Sequence, residues 1–251
     1  MISFKKSTIF VLLLLAGNQH IFCQDQRKID NKAFKVGEKL TFSIGWEFVD
    51  AGTAILSVEE ITQVNNIPCY RISAVTNSNA FFSTLYKVRD RLESFVDIEG
   101  IFPHKYIKKT YEGGYQRNFE VDFDQKKQKA IISDVDSGIS EIKIPNYLQD
   151  IISSFYYVRT QPMIEGQPIR IFVFDNGRYK EVTVKVVKKE RITVDAGEFD
   201  CILVQTPIGP FNNKSDLNIW LTDDMRRIPV LMKSKIIIGS VRAELESILP
   251  E

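Results

Sequence analysis

PNYLQDIISSFYYVRTQP, Pro145 to Pro162, is the stretch that decides the architecture. Leu148, Ile151, Ile152, Phe155 and Val158 recur at helical spacing, and a proline stands at each end. The pattern predicts one helix over 147–159. Almost everywhere else the chain alternates with the period of a strand. Upstream, EKLTFSIGWEF (38–48) sets Leu40, Phe42, Ile44 and Trp46 on one face. Asp50 to Gly52 reads as a turn, GTAILSVEEI as the return strand, and Asn65-Asn66 as the next turn before a strand carrying Cys69.

Between these strands and the charged run KVRDRLESFVD (87–97) the pattern breaks. Asn77, Ser78 and Asn79 are capping residues, and Phe81, Phe82 and Leu85 share a helical face, which predicts a short helix or lid near 78–86. Further β-ribbons turn at Gly113-Gly114 and at Gln125 to Gln128. Beyond the helix, Asp175-Asn176-Gly177 is a strong hairpin signal. Gly197, Asp223-Asp224 and Gly239 break the remaining strands. VEEITQVNNIPCYRI and VKKERITVDAGEFDCILV each run strand, turn, cysteine-bearing strand, a weak internal echo. No low-complexity linker divides the chain. The expected fold is mainly β: a single domain over 34–250, built on a large curved antiparallel sheet, half-barrel or barrel-like, with the 147–159 helix packed on or inside it.

The first residues have the form of a secretory signal. Lys5 and Lys6 precede a short apolar run, Thr8 to Gly17, too short to span a bilayer as a helix. Cleavage is expected after Cys23, since Phe22 stands where a lipoprotein signal needs a small residue. Residues 24–33 are polar and read as a loose leader. Cleavage removes two of the 33 basic residues and none of the 32 acidic ones. The mature chain is then near neutrality, which gives no global field for nucleic acid. The expected address is the periplasm or the exterior, with no transmembrane span and with association at the outer membrane left open. Cys69 and Cys201 remain, as a disulfide or as two buried thiols.

Several chemistries are disfavoured. One histidine, His104, survives cleavage and follows Pro103 in an expected loop. There is no CxxC, HExxH, phosphate-cradling glycine loop or GxSxG, so neither a metal nor a cofactor is expected. Asp90, Glu93, Asp122 and Asp124 supply carboxylates that a sugar-cleaving enzyme would need in pairs, but any chain this acidic offers such pairs. A hydrolase is therefore the least favoured reading, and a non-enzymatic protein the favoured one.

In the charged run, Tyr86, Val88, Asp90, Leu92 and Val96 share one face, with Lys87, Arg89, Arg91, Glu93 and Asp97 on the other. Asp90 thus falls on the apolar side. A buried carboxylate needs a partner, and an arginine fork is the best one. Arg71, Arg159 and Arg226 are the candidates for a structural ion pair. Aromatic residues cluster where helix interrupts sheet. They read either as core or as a lid over an apolar pocket.

FKVGEKLTFSIGWEFVDAGTAILSV, YKVRDRLESFVDIEGIFPHKY, the DIISSFYYVR helix, NIWLTDDMRRIPV and GSVRAEL, in that order, resemble the exported bacterial family known as domain of unknown function 3108. The likeness runs from about Phe34 to Leu249. It implies a secreted, β-rich protein and no catalytic residues, and the signal segment, ending before Gln24, resembles those of Bacteroidetes-type bacteria. The favoured function is binding of a lipid or other amphipathic ligand in the concave face. Trp46, Phe81, Phe82, Phe155, Tyr156 and Trp220 would line the pocket. Arg89 and Arg91 would meet a head group if their face is the concave one. The alternative is a structural or adaptor protein of the envelope, with an envelope protein as partner and the sheet filled by its own side chains.

Overall fold

The computed structural model describes residues 27–207, 216–235 and 239–250. The signal segment, Cys23 and the first residues of the leader lie outside them. Fourteen strands form one antiparallel sheet. The first half is a meander of β1 (Lys39–Trp46), β2 (Val49–Val64), β3 (Ile67–Ser78), β4 (Arg89–Asp97), β5 (Pro103–Glu112), β6 (Tyr115–Asp124), β7 (Lys129–Asp134) and β8 (Gly138–Lys143). A single turn of helix, α1 (Phe82–Leu85), joins β3 to β4. After α2 (Ile151–Arg159), a second meander runs through β9 (Ile169–Asp175), β10 (Arg178–Val194), β11 (Gly197–Thr206), β12 (Leu217–Thr222), β13 (Pro229–Lys235) and β14 (Ser240–Leu249). The last strand returns beside the first, so β1 and β14 are the seam that makes the two meanders one sheet.

Local chemistry explains the connections. Asn65-Asn66 and Asn176-Gly177 hold positive φ at both central residues, as tight hairpin turns require. The internal echo falls on the hairpins β2–β3 and β10–β11, which contain the two longest strands, of 16 and 17 residues. Register shifts at Val58/Glu60, Ile44/Gly45 and Val186/Lys188 add bends to the sheet. One expected turn lies elsewhere. The β1–β2 hairpin turns at Glu47-Phe48, and Asp50 to Gly52 belong to β2. Gly52 is needed for close approach: a Cβ there would stand 2.1 Å from the Asn77 carbonyl oxygen.

The sheet does not close on itself. Its edges, β8 and β9, are not neighbours. The chain just before α2 covers the β9 edge instead. Gln149 N–H donates to Phe172 O (2.9 Å), and Phe174 N–H donates to Gln149 O (2.7 Å). Phe174 then meets Phe119 and Phe123 of β6 edge-on, with centroids 6.3 and 5.8 Å away. Side chains, not a strand ladder, seal that side.

α2 lies inside the curve, and Phe155 and Tyr157 pack against the apolar clusters of both meanders. Asp150 starts it with a reciprocal cap: its Oδ1 accepts from Ser153 N (2.8 Å), and its own N–H donates to Ser153 Oγ (2.9 Å). The helix therefore begins at Ile151, four residues later than the apolar spacing suggests, because Gln149 is spent on the β9 edge and Asp150 is the cap. At the other end Arg159, 1% exposed, grips Glu38 with both terminal nitrogens (2.7 and 2.8 Å). It also donates to the carbonyls of Ala33 and Arg226.

The leader is not loose from Arg27 onward. The Arg27 guanidinium donates to the carbonyls of Gly100 and Ile101 (2.8 and 2.9 Å) and stacks over the rings of Tyr147 and Tyr157 at 4.4 and 4.5 Å. The disulfide alternative falls. Cys69 on β3 and Cys201 on β11 are free, buried, and separated by five strands of the sheet. Burial pushes both thiols up to about 12, so they stay protonated.

Breaking the Arg159–Glu38 pair from one side leaves a buried charge alone, which typically costs about 3–5 kcal/mol. Glu38→Gln is expected to lower unfolding stability by that order in urea titrations. A double replacement, Glu38→Leu with Arg159→Met, is expected to recover most of the loss.

Candidate functional site

Between α2 and the inner face of the sheet lies a cavity of about 420 Å³. Its wall is drawn from both meanders: Phe42, Leu56 and Ala74 on one side, and Val184, Val204 and Ile219 on the other. Ile151, Ser154, Phe155 and Val158 of α2 form its floor. Among the described residues, Lys108 and Asp175 are the charged ones that line it. Apart from Ser154 and Tyr156 on α2, its polar residues gather at one end. Asp175 and Thr206 are the last residues of their strands, Thr76 and Ser234 stand near the ends of β3 and β13, and Val241 stands near the start of β14. By strand direction this is the end that carries the β1–β2 hairpin and α1. Exposed Asn176 is at its rim, where Lys108 Nζ donates to the Asn176 Oδ1 (3.4 Å). The opposite end is filled by Arg159, Glu38 and the docked leader. The described residues form a cup with an apolar interior and most of its polar lining at one end, the mouth.

Of the expected lining residues, Phe155 and Tyr156 are on the cavity wall. Trp46 and Phe82 pack against each other with centroids 6.0 Å apart, at the base of α1. Phe81 projects into solvent, 64% exposed. Trp220 is on the outside, donating from Nε1 to Glu190 (2.8 Å) with Lys233 over its ring. The aromatic pattern missed these because it carries no register. The smaller residues that do line the wall, such as Ala74 and Val204, are unremarkable in sequence.

The face assignment of β4 was readable; the partners were not. Ser94 and Val96 point inward, where Ser94 Oγ donates to Asp150 Oδ2 (2.5 Å). Arg89 and Arg91 are therefore on the convex face and do not meet the cavity. Arg91, with Arg71, holds Glu93 instead (3.0 and 2.6 Å). Burial would raise the Glu93 carboxyl, but the two guanidiniums outweigh it and hold it below the usual range. Asp90 makes no arginine pair. Its Oδ1 accepts from Tyr111 N (3.0 Å), and its other partner is the Glu112 carboxyl. Burial, then Glu112, push Asp90 up to about 7. Glu112 escaped the sequence reading because only the β4–β5 register, through the bridge Val88–Glu112, brings it beside Asp90. Asp122 and Asp124 sit apart from this pair, on β6. His104 is in β5 and not a loop, with its Nε2–H donated to Asp97 Oδ2 (3.0 Å). Among the described residues no group of three His, Cys, Asp or Glu could hold a metal ion. No helix among them is long and apolar enough to cross a membrane.

A mainly antiparallel, barrel-like cup with one helix inside is the class that fold and cavity define. The chain belongs to the family described as "Protein of unknown function (DUF3108)", whose pattern matches residues 41–246. No curated protein matches it. The fold is similar to that of a Brucella abortus β-barrel-like protein of domain of unknown function DUF1849. The two share 11% identity with a TM-score of 0.56, over 85% of this chain and 97% of that one. A Bacteroides fragilis protein with a YmcC-like fold aligns over 89% of this chain and 99% of its own, at 11% identity and a TM-score of 0.31.

Asp150, at the N-terminus of the cavity floor, is fully buried, and burial raises its carboxyl from 3.8 to about 6. The raised value means protonation favours the folded state. That contribution is complete below about pH 3.8 and is lost as pH rises through 6. Asp150→Asn keeps a cap acceptor without the charge. Its stability relative to the parent is expected to improve by roughly 2–3 kcal/mol between pH 4 and pH 7.5. Urea midpoints compared across that range measure it.

Proposed function

We propose that this protein is an exported, non-enzymatic carrier that holds a lipid or other amphipathic ligand in its cup. The observation that carries this reading is the apolar cavity itself. Its volume falls in the range that takes small organic ligands, and its walls offer dispersion contacts and little hydrogen bonding. A cavity with its polar lining gathered toward one end suits a ligand with one polar end: the tail occupies the interior, and the head remains among Thr76, Lys108 and Asn176. The signal-like N-terminus supports an address in the periplasm or beyond, where an apolar cargo must cross water. The envelope-adaptor reading would need a sheet filled by its own side chains, and the open volume above α2 disfavours it.

Denaturing extraction of the purified protein followed by lipid mass spectrometry tests the proposal directly, with a bound amphiphile as the expected result. Delipidated protein is expected to bind a fluorescent fatty acid, and Ala74→Phe, which pushes a ring into the cavity, to weaken that binding at least tenfold. Because the ring enters open space, the thermal midpoint should not fall. Absence of probe binding by the parent, or unchanged binding by a folded Ala74→Phe, would sink the carrier reading.

A further inference from the structure

We infer that Asp90 and Glu112 form a proton-operated latch on the rim of the cup, closed when one proton lies between their carboxyl groups and loosened when that proton leaves. The two side chains stand at a gap in the sheet. Regular pairing of β4 with β5 begins at Arg91–Lys109. Nearer the mouth, the described backbone contacts between them are the bridge Val88–Glu112 and the bond from Gly113 N–H to Lys87 O (2.8 Å). In the gap between, the Tyr111 N–H donates to a side chain, Asp90 Oδ1 (3.0 Å), and the other Asp90 partner is the Glu112 carboxyl. The pair thus continues the ladder where backbone pairing lapses. It faces inward. Thr76, opposite Asp90 on β3, and Lys108, on the same face of β5, both line the cavity. The rim is built around it. The Tyr86 ring lies against the β5–β6 turn, where a Cβ on Gly113 would stand 2.1 Å from it. Val88 N–H donates to the Ser78 hydroxyl (2.9 Å), and Ser78 N–H donates to Val88 O (3.1 Å). The latch therefore fastens the β5–β6 turn to the loop containing α1.

The cations nearby are engaged or turned away. On β5, Lys108 shares the face and offsets the pair in part, with its Nζ directed to Asn176 Oδ1 (3.4 Å). On β4, Arg89 and Arg91 are on the convex face, and Arg91 holds Glu93. On β6, Arg117 holds Asp134 (3.2 Å). Ahead of β4, Lys87 lies over the Tyr111 ring at 6.0 Å. The Tyr86 phenol is raised by burial and then by Glu112 and Asp90, so it stays neutral. Tyr106, deeper on β5, is also held neutral by burial, and β9 adds only the carboxylate of Asp175. β3 opposes the pair with Thr76, which carries no charge. With one proton, two half-buried carboxyls make a short charge-assisted O–H···O bond. Without it they are two like charges in contact. Burial, then Glu112, push Asp90 up to about 7, so the proton passes to solvent near neutrality. The raised value means that protonation favours the closed rim. That contribution is complete below about pH 3.8 and is lost as pH rises through 7. On the carrier reading, and resting on it, cargo would leave faster on the alkaline side.

Amide hydrogen exchange of the cargo-free protein, resolved by NMR and expressed as protection factors, tests the latch. Protection of the amides in 86–90 and 110–114 is expected to fall about tenfold or more between pH 5.5 and pH 8. At pH 8 these amides should be less protected than those of β11 and β12, which marks a local opening. Asp90→Asn keeps an acceptor for the Tyr111 N–H and gives Glu112 a donor that does not titrate. It is expected to fold as the parent does at pH 5.5 and to hold the rim protected across the range, and Glu112→Gln is expected to do the same. Parent protection that does not change with pH overturns the inference. So does an Asp90→Asn variant that keeps the parent's loss, and so do rim amides that exchange only with the whole sheet. Release of a fluorescent fatty acid is expected to quicken over the same range in the parent and not in Asp90→Asn. The exchange measurement needs no cargo, so a protein that binds no fatty acid removes the carrier reading and leaves the latch standing.

Discussion

The bidentate contact between Arg159 and Glu38 is the constraint on which the rest of the architecture depends. It joins residues 121 positions apart, and it does more than pair two charges. The guanidinium also takes the carbonyls of Ala33 and Arg226 and lies over the rings of Phe34 and Tyr156. One side chain therefore fixes the end of α2 to the leader, to the approach of β1 and to the β12–β13 turn. Its donors are nearly all used, which is the condition under which a buried ion pair can offset its desolvation. Together with the packing of Tyr156 and Val158, that anchor holds the end of α2 at the closed end of the sheet.

Asp150 performs the matching task at the other end of the helix. It caps the first turn and accepts from Ser94, so one carboxyl binds α2 both to its own backbone and to β4. The helix is thus held at both ends by polar contacts from different meanders. The apolar contacts along its length leave a gap on the mouth side, where Phe155 faces open space in place of sheet side chains.

Much of this was legible in the sequence, and the missing part has a common cause. Turns at Asn65-Asn66 and Asn176-Gly177, the alternation of β1 and the periodicity of 147–159 are local signals, and the structure follows them. The inward placement of Asp90 was also local, set by alternation within β4. Its partner was not, because Tyr111 and Glu112 reach it only through the register of β4 against β5. Arg159 stood among the candidates for Asp90, yet the fold gives it to Glu38. Sequence patterns place a residue on a face; long-range register decides what stands opposite. The cavity belongs to the same class of fact. Among the described residues its lining comes from ten strands and one helix, mostly as small and branched side chains that are not distinctive alone. Aromatic residues drew the reading toward Trp46 and Trp220, which the sheet sends elsewhere.

The unclosed edge has a consequence for how such a cup can work. In a closed barrel, widening the interior breaks ladder hydrogen bonds all round the circumference. Here β8 and β9 exchange none, and the seal is Phe174 against Phe119 and Phe123 plus the short bridge from Gln149. Edge-to-face aromatic pairs are each worth only about 0.5–1.5 kcal/mol beyond the area they bury. Sliding the β9–β10 hairpin against β6 therefore costs little compared with breaking a ladder. That hairpin also carries Asp175 and Asn176 at the mouth and Val173 and Val184 in the wall. The least constrained edge of the sheet is thus the one that forms the rim, while the pinned helix keeps the floor in place. Any movement of this edge is limited by the two backbone bonds that Gln149 makes to β9, since Gln149 also holds the Ile101 carbonyl and stands next to the cap of α2.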